Sequence, residues 1–409
     1  MAQGVPGRAS VIVIDGWPSM TTPALCLRAR QEPAGETPTI KTAASTERDE
    51  RLALLDLARQ LGSEDAETVF LFLTSRYDLV KFAPLVEATL GPRVVGCTGA
   101  GLVGPRGLQR GGATAAALPR GHFSAQSHLI APLSECRRSL RELTTSVDAR
   151  RRKLPPHYRM AAILLVDGMS QREEQLTAAL YQSLGEIALV GGSAGDDLRF
   201  EQSHVYHGGK FHRDAALLLI LSTPLLLRPL CLQHCWPSSE RLVVTRADPE
   251  ARIVYEINGE PAADAYASIV GLSQEGLNPN DFSRHPLVLS IRGEHYIRSV
   301  QRVHADGSLK LFCAVEAGMI LSVGEPAEAV DSLEDSLSAL QMEGGSPCLL
   351  IGFDSVLRRL QYEQDHAIDR ASALLCRHHV VGFNSYGEQF NSIHVNQTLT
   401  GLAIGGGDR

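Results

Sequence analysis

The sequence predicts a two-domain protein of α/β and α+β class, with mixed sheets flanked by helices, and three observations predict it. A strand–helix–strand segment of one plan occurs three times, each ending in a turn rich in glycine and small residues. Short alternating strands with Asn-Gly and Asp-Gly turns lie between the second and third of these segments. At 409 residues, moreover, the chain is too long for one ordinary core.

In chain order, residues 1–40 hold Pro6, Pro18, Pro23, Pro33 and Pro38 around one short apolar run, which reads as a flexible extension. A helix is predicted from about Thr46 to Leu61, because Leu54, Leu57, Ala58 and Leu61 follow the spacing of one buried face. Ser45 or Thr46 is its candidate cap. The first repeated segment runs Val69 to Leu73, a helix near Asp78 to Leu90, then Val94 to Gly101. The second is Ile163 to Val166, a helix near Gln171 to Leu184, then Val190 to Asp196. The third is Leu349 to Phe353, a helix near Glu363 to Arg377, then Val380 to Glu388. Such units favour mixed or parallel sheets covered by helices. Strands at Leu242–Thr245, Ile253–Ile257, Tyr296–Val303 and Leu309–Ala314, with turns at Asn258-Gly259 and Asp306-Gly307, mark the different texture between them. The boundary is placed near residue 225, giving an N-terminal α/β domain over 41–225 and a C-terminal α+β domain over 226–409.

Composition removes several function classes. Hydrophobic residues make up 44% and charged residues 21%, so most of the chain folds around a core. The formal charge is −7 without a dense basic stripe, which speaks against nucleic acid. Arg150, Arg151, Arg152 and Lys153 read as a solvated linker. No run reaches the ~18–20 apolar residues of a membrane helix and no secretory signal opens the chain, so a cytoplasmic protein without membrane contact is expected. Eight scattered cysteines fit reduced, mostly buried thiols.

Several motifs resemble catalytic or metal sites but lack their context. Gly99 to Gly104 spells GxGxxG, yet Pro105-Arg106-Gly107 follows in place of the helix that would hold a pyrophosphate. Gly191 to Gly195 spells GxSxG, but a hairpin around His207-Gly208-Gly209-Lys210 follows in place of a helix, so Ser193 reads as part of a tight turn before it reads as a nucleophile. His204, His207 and His212 bracket that hairpin without a carboxylate at ligand spacing. Cys231, His234 and Cys235 would share a helical face but lack a second pair of ligands. By contrast, Gly382 to Gly401 gathers Asn384, Tyr386, Glu388, Gln389, His394, Asn396, Gln397 and Thr398 between two strands, where open sheets project ligand groups.

The ordered set of motifs resembles bacterial FIST N and FIST C domains in tandem, from about residue 40 to the end. It comprises Gly96-Cys97-Thr98, Asp167-Gly168-Met169-Ser170, Gly191-Gly192-Ser193-Ala194-Gly195-Asp196, Asn258-Gly259 and Gly382-Phe383-x-x-Tyr386-Gly387-Glu388. The segment Gly382 to Thr398 is most similar to the haem-binding, nitric-oxide-sensing branch. That resemblance implies a sensor with no catalytic residues, haem b as cofactor, and a histidine kinase or cyclic-di-GMP enzyme as partner, with a homodimer left open. It implies His394 as axial ligand, with Asn384, Tyr386, Glu388 and Gln397 around it, and a ligand surface at Cys97, Thr98, Gly192, Ser193 and Asp196. Gly99, Leu102 and Asp197 stand where the family commonly has threonine, glutamate and glycine, which affects ligand identity more than fold. The alternatives are a FIST sensor of an amino acid or other small metabolite, and a serine hydrolase using Ser193.

Overall fold

The computed structural model describes residues 38–405 apart from 63–64, 274–275, 292, 341 and 343–345, together with the short strand Val11–Ile12. The expected flexible extension over 1–40 otherwise lies outside the described residues, apart from 38–40.

All three strand–helix–strand segments form. They are Ala66–Thr74, Leu79–Leu90 and Val94–Gly99; Arg159–Val166, Glu173–Leu184 and Ala188–Ser193; and Leu349–Ser355, two helices, and Val380–Ser385. Within each unit the two strands run parallel. The helix predicted near Glu363 to Arg377 in the third unit is Ile368–Arg377, and a further helix, Val356–Gln364, precedes it, mostly outside the predicted range. The polar run Glu363 to His366 gives that turn little to bury; His366 takes φ 52°, and Ala367 N–H reaches back to the Tyr362 carbonyl to close the first helix.

Each unit builds the same sheet. Beside its parallel pair lie an antiparallel strand and then a second one: Ala113–Pro119 with Lys41–Ser45, Ala216–Thr223 with Ser124–Ile130, and Leu399–Gly405 with Leu226–Leu232, the last of which also pairs with Val11–Ile12. On the other side lies a hairpin borrowed from another unit. The hairpin Leu102–Gly104/Gly107–Gln109 leaves the first unit and pairs with the third. Val205–His207/Lys210–His212 leaves the second and pairs with the first. Glu388–Phe390/Ile393–Val395 leaves the third and pairs with the second. The donation closes into a cycle, so the three units form a pseudo-threefold ring.

The glycine turns follow the same cycle. Gly195 N–H donates to the Thr98 carbonyl at 3.1 Å, Tyr386 N–H to that of Ser193 at 3.0 Å, and Ala100 N–H to that of Asn384 at 2.9 Å. Gly96, Gly191 and Gly382 are equivalent positions, where a Cβ would run into the carbonyl oxygen of Leu71, Leu164 or Gly352 on the neighbouring strand. The inner sheet faces meet in one core that includes Phe70, Phe72, Ile163, Leu165, Phe353 and Phe383. Helices cover the outer faces, and strands buried on both sides read as the continuous apolar runs seen in the sequence.

A β-rich insert, 235–326, interrupts the third unit and has its own core of Leu242, Val254, Tyr266, Phe282 and Leu311. Its Asn258-Gly259 turn takes φ 54° and 82°, the left-handed geometry a two-residue hairpin requires. The strand predicted at Tyr296–Val303 is split into Glu294–Arg298 and Val300–Val303, and the last one stops at Leu311. The mixed α/β class, with mixed sheets flanked by helices, is as predicted.

Three local expectations are corrected. The first helix is Glu50–Leu61, capped by Asp49, which accepts from Leu52 N–H, and not by Ser45 or Thr46. Ser45 is spent in the edge strand. Arg150 to Lys153 form the last turn of the helix Cys136–Lys153, with Arg150 donating to Ser124 and Ser222. Cys231 and Cys235 sit in separate strands, because the leucine-rich run Leu226–Leu232 pairs with Leu399–Gly405. No helix among the described residues is long and apolar enough to cross a membrane.

Candidate functional site

The pseudo-threefold ring offers three equivalent junctions between a glycine turn and a donated hairpin, and their composition differs. Opposite Gly96 and Cys97 stand Tyr206 and Val205; opposite Gly382 and Phe383 stand Val103 and Leu102. Opposite Gly191 and Gly192 stand Gln389 and Glu388. Two junctions are therefore mainly apolar. The third is polar and fully buried.

At this third junction the side chains form a chain of hydrogen bonds. Ser193 Oγ donates to Glu173 Oε1 at 3.3 Å and accepts from Gln389 Nε2 at 2.9 Å. That assignment fixes the amide: its NH2 group also faces His394 Nδ1 at 3.2 Å. Nδ1 therefore accepts, and the neutral imidazole carries its proton on Nε2. Burial pushes the His394 pKa below its usual value, against the pull of Glu174 and Glu173, which favours that neutral form. From the insert, Arg252 reaches Glu173 Oε2 at 2.5 Å and Glu174 Oε2 at 2.6 Å. Burial works against its charge, but the two carboxylates more than offset this and hold its pKa above the ordinary value.

Several buried polar atoms here have no partner: His394 Nε2, both amide atoms of Asn396, Gln389 Oε1 and Arg298 Nε. Each such atom costs about 1–3 kcal/mol when left bare, so together they set this region apart from an ordinary core. His394 Nε2 and Asn396 Nδ2 crowd one side of Gly387, 2.7 and 3.1 Å from where a Cβ would sit. Arg298 donates to the carbonyls of His394 and Ile297 and makes no ion pair with a described carboxylate. Outside the Arg252–Glu174 pair a cavity of about 470 Å³ opens between the insert and the segment Met169–Arg172.

The residues singled out in the sequence divide among different places. Ser193, Gln389 and His394 come together, while Glu388 lies on the other face of the same strand. Glu388 accepts from Ser385 Oγ and from Thr398 N–H and Oγ1. Asp196 accepts from the backbone N–H groups of Phe200, Glu201 and Gln202 and from Tyr386 Oη, so this pair holds the second turn. Asn384 binds Arg359, and Gln397 binds Ser283 and Ser299. Asn384, Tyr386 and Gln397 thus have other partners, and the group that orients the imidazole is Gln389. Thr98 Oγ1 accepts from His204 N–H, Gly192 lies on the Phe353 ring, and Cys97 is enclosed in the core. Glu173, Glu174, Arg252 and Arg298 were not singled out. Only the run Glu173-Glu174 at a predicted helix start hinted at them.

The hydrolase constellation is not assembled. No histidine is hydrogen-bonded to Ser193 among the described residues, and the strand after it leads to a hairpin. Among the described residues no group of three or more His, Cys, Asp or Glu side chains could hold a metal ion. A haem site needs only one such donor, and there the fit is poor. Iron would need the Nε2 lone pair, whereas Gln389 offers Nδ1 a donor and leaves the proton on Nε2. The Nε2 edge of the ring meets Gly387 and Asn396 in place of an apolar cleft.

Comparison with known families places these features. Residues 67–260 match the FIST N domain and residues 262–391 the FIST C domain, together most of the chain. The chain belongs to the FIST family. No curated protein matches it. FIST domains are small-ligand sensory modules of signal transduction and are not known as enzymes. In this FIST protein the FIST C match includes Glu388 and Gln389, and the FIST N match includes Ser193, Glu173 and Arg252.

Proposed function

We propose that this FIST protein is a sensory input module whose ligand is a small polar metabolite bound at the junction of Ser193, Gln389, His394 and Asn396, under the insert. The observation that carries this reading is the contrast among the three equivalent junctions: one alone sets polar residues opposite its glycines, and the bare atoms of Gln389, His394 and Asn396 lie beside it. A ligand that satisfies these atoms bridges the ring and the insert, so binding changes how firmly the insert is held. That is a two-state element a partner can read. A cytoplasmic histidine kinase or cyclic-di-GMP enzyme is the partner class that belongs to this reading, with this chain alone or as a homodimer.

One observation favours haem-based nitric oxide sensing as a second reading: His394 Nε2 is buried and bare. It would require the Gln389 amide to turn over, which a metabolite does not; either guest needs Gly387 to give way beside Nε2. The two readings separate in one pair of measurements. A thermal-shift screen of small polar metabolites is expected to find a compound whose stabilisation grows with the logarithm of its concentration and is lost in Gln389→Leu. Reconstitution with haem is expected to give no Soret band that changes in His394→Ala. A His394-dependent band, with no stabilising metabolite, would replace the first reading by the second.

A further inference from the structure

Resting on the metabolite reading of this site, the geometry points to a ligand class: we infer that the junction takes a small carboxylate, whose oxygens accept from His394 Nε2–H and Asn396 Nδ2 while Arg298 supplies the counter-charge.

The donor inventory leads there. Gln389 gives its NH2 to Ser193 and His394, so the imidazole presents an N–H, and that N–H has no acceptor in the protein. Asn396 Nδ2 is a second unpartnered donor on the same side of Gly387. The residue at 387 is glycine, and any side chain there would strike the imidazole edge and the Asn396 amide. The charges agree. Arg252 is matched by Glu173 and Glu174, whereas Arg298 pairs with no described carboxylate: it bonds the carbonyls of Ile297 and His394 and the Cys313 side chain, and its Nε is buried and bare. A half-buried cation without an anionic partner favours an anionic guest over a cationic one. A planar carboxylate also matches the fork of a guanidinium. Asn396 Oδ1 and Gln389 Oε1 remain as acceptors for a hydroxyl or ammonium elsewhere on the same molecule.

The full chain is titrated calorimetrically with acetate, succinate and benzoate, each paired with its neutral amide. The expected result is binding by at least one carboxylate and at least about tenfold weaker binding of its amide. Arg298→Met is expected to abolish that binding, and His394→Ala to weaken it by about tenfold or more. His394→Gln, which restores an N–H donor, is expected to recover part of the loss. Circular dichroism of each variant confirms that it folds. Amides binding as tightly as the acids, or no carboxylate binding at millimolar concentration while a neutral or cationic metabolite binds in a Gln389-dependent way, would overturn the carboxylate class and leave the site standing. A carboxylate that binds equally well to Arg298→Met and His394→Ala would remove the site itself.

Discussion

Glu388 is fully buried and meets hydroxyl and amide donors but no described cation: Ser385 Oγ lies 2.6 Å from Oε1, and Thr398 Oγ1 lies 2.8 Å from Oε2. Burial raises its pKa to about 8, with the Ser385 and Thr398 hydrogen bonds opposing. In the unfolded chain the same carboxyl titrates near 4.5, so between these values the folded state holds a proton that the unfolded state has released. Stability from this group is therefore full below about pH 4.5 and is lost as pH rises towards about 8. Glu388→Gln keeps the shape and can donate to Ser385 while its oxygen accepts from Thr398. Its melting temperature relative to the parent is expected to climb steadily from about pH 5 to about pH 8. A difference that stays flat across that range would show that Glu388 is ionised in the fold. His234, whose pKa burial beside Arg358 lowers to about 3, acts with the opposite sign, costing stability as pH falls below about 6.5. It cancels in the comparison. At this scale the sequence made Glu388, Gln389 and His394 visible, because they share one short segment rich in functional groups. Arg252 and Arg298 stayed hidden because their partners lie 79 and 96 residues away, and nothing local distinguishes a buried arginine from a solvated one.

The repeated strand, helix and glycine turn were readable because period and turn chemistry are local. The destinations of the three hairpins were not, since each pairs with a strand of another unit and its register is set only when the ring closes. What does show locally is the glycine that permits the close approach. Gly96 lies against the Leu71 backbone, so a methyl group there meets the carbonyl oxygen, carbonyl carbon and Cα of a central strand, none of which can move without breaking the parallel ladder. Gly96→Ala is expected to cost about 1–3 kcal/mol or more by urea denaturation. Gly111→Ala, where nothing lies within 4 Å of the added atom, is expected to stay within about 0.5 kcal/mol of the parent. Equal losses in the two variants would mean that the Leu71 backbone yields and that the close strand approach does not require glycine at 96. Because Gly96 belongs to the apolar junction beside Tyr206, the loss does not mix with an effect on ligand.

For the whole molecule, two sequence domains have become one mechanically closed ring. The N-terminal part gives its hairpin 102–109 to the C-terminal sheet and takes 388–395 in return. A fragment ending at residue 225 would leave Ala188–Ser193 as an exposed edge, paired only with Arg159–Val166, and the hairpin 102–109 without a sheet. Exposed strand edges of this kind invite aggregation. The aromatic contacts cross the same boundary: the Phe72 and Phe383 rings lie 5.2 Å apart in the shared core. Residues 38–225 expressed alone are therefore expected to be insoluble or to lack a cooperative transition, and co-expression with 226–405 to restore a soluble, folded pair. Calorimetry of the intact chain is expected to show the ring melting in one transition, whose calorimetric and van't Hoff enthalpies agree once any separate melting of the 235–326 insert is accounted for. A soluble 38–225 fragment that melts cooperatively would show that each part completes its own fold, and a signal would then have to pass through a hinge between them. With the ring closed, the element left free to respond to a ligand is the insert, held over the polar junction by Arg252, by Arg298 and by the Gln397 contacts with Ser283 and Ser299.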